Sequence, residues 1–194
     1  MFRSAFLAIV ALLQFFAQPA AGQPVAATAA AVDIESAVLR IKSQFDGQYV
    51  VAKMNPEGTE LVAPGTVLVL RKENLIMNMV LLESGKRGSP IENVYENGKI
   101  DQSGLLGAMG KLNSFLGGSR PDKHARSIEL GTKLWVTNVS VATSGIEFQL
   151  MSDPINDQRF HGVLRFPIAD AAQVDQVVSV IPEVLAFDQP PARV

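Results

Sequence analysis

The chain of 194 residues contains no cysteine. Disulfide staples, thiolate metal sites and a lipid anchor on a cleavage-site cysteine are therefore excluded. Histidine is nearly as scarce, His124 and His161 being the only two, so a zinc site would need carboxylates from distant segments. The formal net charge is −2, which leaves no basic stripe, and no nucleic-acid partner is expected. There is no G-x-S-x-G nucleophile elbow. The glycine-lysine run at residues 107–112 is not a phosphate-binding loop. Leu105 stands where its first glycine belongs, and Leu112 replaces the Ser or Thr that would hold Mg²⁺. No cofactor is implied by any of these residues.

The amino terminus is more informative. Arg3 precedes an apolar run from Ala5 to Ala17, and the small residues Ala20, Ala21 and Gly22 follow. This is the pattern of a secretory signal peptide over residues 1–22, cleaved near Gly22. The run is shorter than the ~20 residues that a membrane-spanning helix needs. Export without cysteine points to a bacterial periplasm or exterior, since small secreted animal domains are usually disulfide-rich. A domain in that compartment must rely on an ordinary hydrophobic core, and the remaining length allows one. The acceptor pattern Asn138-Val139-Ser140 falls in an expected strand and carries little weight.

Beyond the signal, residues 23–32 are alanine-rich and read as a flexible tether. Asp33 is placed to cap a helix whose apolar positions are Ile34, Ala37, Val38, Ile41 and Phe45, closed by Gly47. Strands are expected over residues 48–54, 66–70, 75–82 and 91–95. Asn55-Pro56-Glu57-Gly58 forms a turn between the first two, because proline presets φ at the second position. Asn97-Gly98 is the strongest hairpin signal in the chain. Residues 104–118 space leucines helically but are weakened by glycines; they suit a lid over the β-core or an interfacial membrane helix. Residues 119–126 read as a basic exposed connector.

The clearest patterning lies between Gly131 and Phe166. Residues 133–141 form a strand with Trp135, Val139 and Val141 on one face and Leu134 and Val136 on the other. Ile146, Phe148 and Leu150 alternate with Glu147 and Gln149. Phe160, Leu164 and Phe166 point inward from a third strand, with Arg159, His161 and Arg165 outward. Asp170 then caps a helix striped with Val174, Val177, Val178 and Ile181, and Pro182 kinks or ends it. Leu185 and Phe187 are placed to pack onto the sheet. The fold expected is mainly β, with antiparallel strands in small barrel-like or sandwich units, a C-terminal helix and an N-terminal one. It is a single β-rich domain over residues 33–187. Two related units, 48–100 and 128–187 joined by 101–127, are an alternative organisation, and 188–194 form a disordered tail.

The stretch GTKLWVTNVSVATSGIEFQLMSDPINDQRFHGVLRFP resembles the C-terminal half of a set of uncharacterised exported β-rich bacterial proteins, notably from acidobacteria. TELVAPGTVLVLRKENLIM resembles their N-terminal half. The resemblance covers roughly residues 48–167. It implies an exported β-rich fold and adds no activity.

Candidate sites are few. Arg159, His161 and Arg165 share one strand face and could bind an anion such as a carboxylate, phosphate or acidic glycan. A solvated face balanced by Glu147 is the plainer interpretation. Asp153, Asn156 and Asp157 offer oxygen ligands for Ca²⁺, although Asp and Asn also serve as turn formers. Trp135 could stack on a sugar, but a lone strand tryptophan more often belongs to the core. The function expected is a non-catalytic binding or structural module of the bacterial envelope, with a protein or acidic glycan partner. The alternatives are a hydrolase using Glu147 with Asp153 or Asp157, and a membrane-surface binder through residues 104–118.

Overall fold

The computed structural model describes residues 25–102 and 124–188. The segment read as a signal peptide, residues 1–22, together with residues 104–118 and the chain's last six residues, lies outside them. The architecture is mainly β, a sheet curled into a half-barrel with one helix near each end of the chain.

The N-terminal helix, α1, spans Val25–Gln48. It begins earlier than the sequence pattern predicts. Residues 25–32 are helical rather than a tether, and Asp33 is an exposed residue within the helix rather than its cap. Alanine has the highest helix propensity, so an alanine-rich run continues the helix toward its N-terminus without hindrance. The apolar stripe is as expected, with Val38, Ile41 and Phe45 buried. Phe45 and Tyr49 carry α1 onto the sheet. Their rings lie 5.1 Å apart, Tyr49 meets Phe148 edge-on at 5.2 Å and stacks on Phe187 at 5.4 Å.

Eleven strands follow among the described residues: β1 (Lys53–Met54), β2 (Leu61–Ala63), β3 (Val67–Leu70), β4 (Ile76–Met79), β5 (Ile91–Glu96), β6 (Lys99–Gln102), β7 (Ala125–Ser127), β8 (Lys133–Ala142), β9 (Gly145–Ser152), β10 (Phe160–Pro167) and β11 (Leu185–Phe187). β1 and β2 form a separate hairpin. The rest make one sheet ordered β11-β3-β8-β9-β10-β4-β7, with β5 joined to β10 and β6 to β5. Strands from the two halves of the chain alternate within it, since β3 pairs with β8 and β11 while β4 and β5 pair with β10. Two self-contained units are therefore not what forms. Residues 49–52 run beside the sheet instead of joining it as a long strand. Ala52 N–H donates to Val136 O, and Thr66 N–H to Val50 O. The backbones cross so closely that a Cβ on Gly65 would overlap Ala52 N and Val50 O.

β8 departs from simple alternation. The register with β9 slips between Val136 and Asn138, making Thr137 an extra residue. Its hydroxyl donates to Gln149 O at 3.1 Å. The bulge shifts the phase of the strand, so Leu134 and Val136 on one side and Val139 and Val141 on the other all meet the core. Trp135 is left half-buried and outside that core.

α2 spans Val174–Val184, introduced by a 3-10 turn over Ala171–Gln173. Asp170 Oδ1 accepts from Gln173 N–H at 3.1 Å, the cap that its position predicts. Pro182 lies in the last turn, and the chain leaves as β11. Both helices pack against one face of the sheet, where Ile41, Phe45, Val174 and Ile181 join Leu68, Leu134, Phe148 and Phe166 in a single core. Arg40 and Asp175 link α1 to α2 at 2.7 Å on the surface.

β10 is forked along one edge. Its first residues pair antiparallel with β4, and from Gly162 to Arg165 it pairs in parallel with β5. Asn93, fully buried, fills the fork. Its Oδ1 accepts from Ile76 N–H at 3.0 Å, and its Nδ2 donates to Ile76 O at 2.9 Å, Val163 O at 3.1 Å and Ile91 O at 3.2 Å. Replacement by leucine would leave those backbone groups buried and unpaired, at about 1–3 kcal/mol each. Asn93→Leu is expected to lower unfolding free energy by at least about 3 kcal/mol in urea titrations, whereas a loss below about 1 kcal/mol would deny Asn93 this role.

Candidate functional site

The face of the sheet opposite the helices carries the polar residues singled out in the sequence. Across it the register aligns Val67, Trp135, Met151, His161, Asn78 and Ala125 in one row. Trp135 donates its indole Nε1–H to Asp153 Oδ1 at 2.8 Å. Arg159 Nη1 donates to Ser152 O at 3.1 Å and lies 4.0 Å from the same Asp153 oxygen. Asp153 thus joins the start of the loop after β9 to both β8 and the start of β10.

Residues 155–158 complete that loop as a two-residue hairpin. Ile155 and Gln158 exchange backbone hydrogen bonds, and Asn156 and Asp157 both have positive φ, at 52° and 61°. This is type I′ geometry, which favours Asn and Asp for conformational reasons. The three oxygen-bearing residues considered for Ca²⁺ are therefore divided, two building the turn and Asp153 bonded to Trp135. Among the described residues no group of three or more metal-ligating side chains converges.

The basic row does not act together. Arg165 lies four residues beyond His161, about 13 Å along an extended strand, and donates Nη2 to Ser144 O at 3.1 Å. Glu147 stands opposite it in register. His161 alternates to the outer face as predicted, yet it is only 4% exposed. The turn of residues 81–89 accounts for this. The imidazole donates to the Gly88 backbone carbonyl, and Arg87 stands near it. Gly88 N–H itself donates to Val80 O, and Asn78 Nδ2 donates to Ser89 O at 3.0 Å. Among the described residues the His161 Nε2 atom has no partner. Burial, followed by the Arg87 charge, pushes the ring down to about 4 from its ordinary 6.5. The imidazole is neutral at pH 7 and is not an anion-binding cation.

The carboxylate pair fares similarly. Glu147 and Asp153 are six residues apart along β9 and its extension, about 20 Å. Asp157 sits in the turn at the end of β9 remote from Glu147. Paired carboxylates in glycoside hydrolysis stand about 5–10 Å apart.

What the sequence did not reveal is a cleft of about 650 Å³ beside this face. Its walls are residues 59–61 of the β1–β2 hairpin, residues 79–83 leaving β4, and residues 154 and 157–159. Leu61, Leu81 and Leu82 give it apolar surface, and Glu60, Asp157 and Arg159 polar groups. The 81–89 turn fixes one wall, and Arg87 lies against Gly58 in the opposing hairpin. Of these, only Asp157 and Arg159 stand among the candidates read from the sequence, because the cleft assembles segments about 100 residues apart in sequence.

Between pH 6.5 and about 4 the unfolded chain protonates at His161 while the folded chain does not, so stability falls as pH falls through that window. The melting temperature is expected to decrease from pH 7 to pH 4.5 more steeply in the native chain than in His161→Gln, measured by circular dichroism. Equal slopes would deny the ring this influence. No protein-family model matches the chain, and neither a curated protein nor a solved structure is similar to it at a significant level.

Proposed function

We propose that the chain is an exported, non-catalytic binding or structural module of the bacterial envelope, with the cleft beside Arg159 as its binding surface. The cleft carries this reading: its volume lies within the range of small-ligand sites, and it combines apolar walls with a few polar groups. The carboxylates of the hydrolase alternative do not converge, since Asp153 holds Trp135 and Glu147 lies about 20 Å from it along the strand. The signal-peptide pattern supports export.

Two measurements test it. Protein recovered outside the cytoplasm should begin near Gln23 on N-terminal sequencing, and an intact Met1 there would refute cleavage. A thermal-shift panel of short peptides, glycans and lipid headgroups should contain a ligand that raises the melting temperature of the native chain but not of Leu81→Arg, which places a charged side chain in the cleft. Steady turnover of a chromogenic ester or glycoside that disappears in Asp153→Asn would instead establish an enzyme.

A further inference from the structure

We infer that the cleft takes a basic, apolar-rich peptide segment of a partner protein. The inference rests on the binding-module reading and narrows it. Charge decides the sign. Arg159, the one cation lining the cleft among the described residues, is held by Ser152 O and stands against Asp153, so its charge is offset from behind. Glu60 and Asp157 have no ion-pair partner among the described residues. The Glu60 backbone is fixed instead, its N–H donating to Asn55 Oδ1 at 3.1 Å. Asp157 is held by its turn and not by its carboxylate. The cleft therefore presents two carboxylates that form no ion pair among the described residues, on backbones held by a hydrogen bond and by turn geometry.

Apolar surface supplies the rest. Leu81 is 52% exposed, unusual for a leucine whose backbone is bridged to Arg87 within a tight turn. Leu61 and Leu82, both half-buried, line the cleft beside it. Covering such surface contributes about 25 cal/mol per Å², while opposed charges select the partner and its orientation. A segment alternating lysine or arginine with leucine-like side chains meets both demands. An acidic glycan, suggested by the arginine-histidine row, meets neither.

The probe is a fluorescein-labelled peptide alternating lysine and leucine, titrated against the purified full chain by fluorescence anisotropy, beside a glutamate-leucine counterpart. The basic peptide is expected to bind and the acidic one not. Glu60→Gln with Asp157→Asn should weaken binding about tenfold, two pairs at somewhat under 1 kcal/mol each. Asparagine tolerates positive φ and the Glu60 side chain makes no bond, so this variant keeps the native shape. Equal binding of both peptides, or an unchanged affinity in the double variant, overturns the inference. Displacement by spermidine at the concentration of competing peptide also overturns it, assigning the site to a free polyamine. If no peptide binds but a neutral panel ligand still raises the melting temperature and Leu81→Arg abolishes the shift, the basic-peptide inference falls and the binding module stands. If nothing binds in either experiment, both fall.

Discussion

The structure depends on one buried carboxamide. β10 must serve two neighbours on a single edge, β4 running antiparallel and β5 parallel. Where they diverge the ladder cannot continue, and Ile76 would face the gap with both backbone groups unpaired. Asn93 acts there as a substitute peptide unit, accepting from Ile76 N–H and donating to Ile76 O, and it also reaches Val163 O. Gly162 completes the junction, for a Cβ there would press on Met77 and on the carbonyls of Ile76 and Ile91. A buried polar residue is worth its desolvation only when its hydrogen bonds are made, and those of Asn93 are.

With the fork in place, the two faces of the sheet take different work. The inner face receives both helices and a chain of aromatic contacts from Phe45 through Tyr49 and Phe148 to Phe166. The outer face is covered by turns instead. The Gly88 turn sits on His161, and the loop beginning at Asp153 ties Trp135 to Arg159. These two coverings stand up from the sheet, and the cleft lies between them and the β1–β2 hairpin. The turns that bury the candidate groups thus create the cavity.

Much of the fold is legible in the sequence because it rests on local rules. Asn97-Gly98 takes positive φ at both residues, Asp170 caps its turn, and β9 buries Ile146, Phe148 and Leu150 as their alternation requires. Failures occur where one residue changes the phase or a distant segment intervenes. Thr137 is an unremarkable strand residue in sequence, yet as a bulge it reverses which face Trp135 occupies. His161 alternates outward correctly, but its exposure is decided by Gly88, some 70 positions earlier. Nothing in the pattern around Asn93 separates it from an ordinary polar strand position. The cleft was illegible for the same reason, being a property of three segments and of none alone.

The strand order also bears on how the chain acquires its shape. β3 emerges early, but its partners are β8 and β11, and the latter ends at Phe187. β4 and β5 likewise wait for β10. No sheet neighbour of the first four strands of the main sheet is in place, save the β5–β6 hairpin, until most of the polypeptide exists. High contact order of this kind slows folding, because loop closure is completed before most contacts form. The helix α1 and the β5–β6 hairpin rest on local contacts, whereas β3 gains its outer partner only when β11 is present.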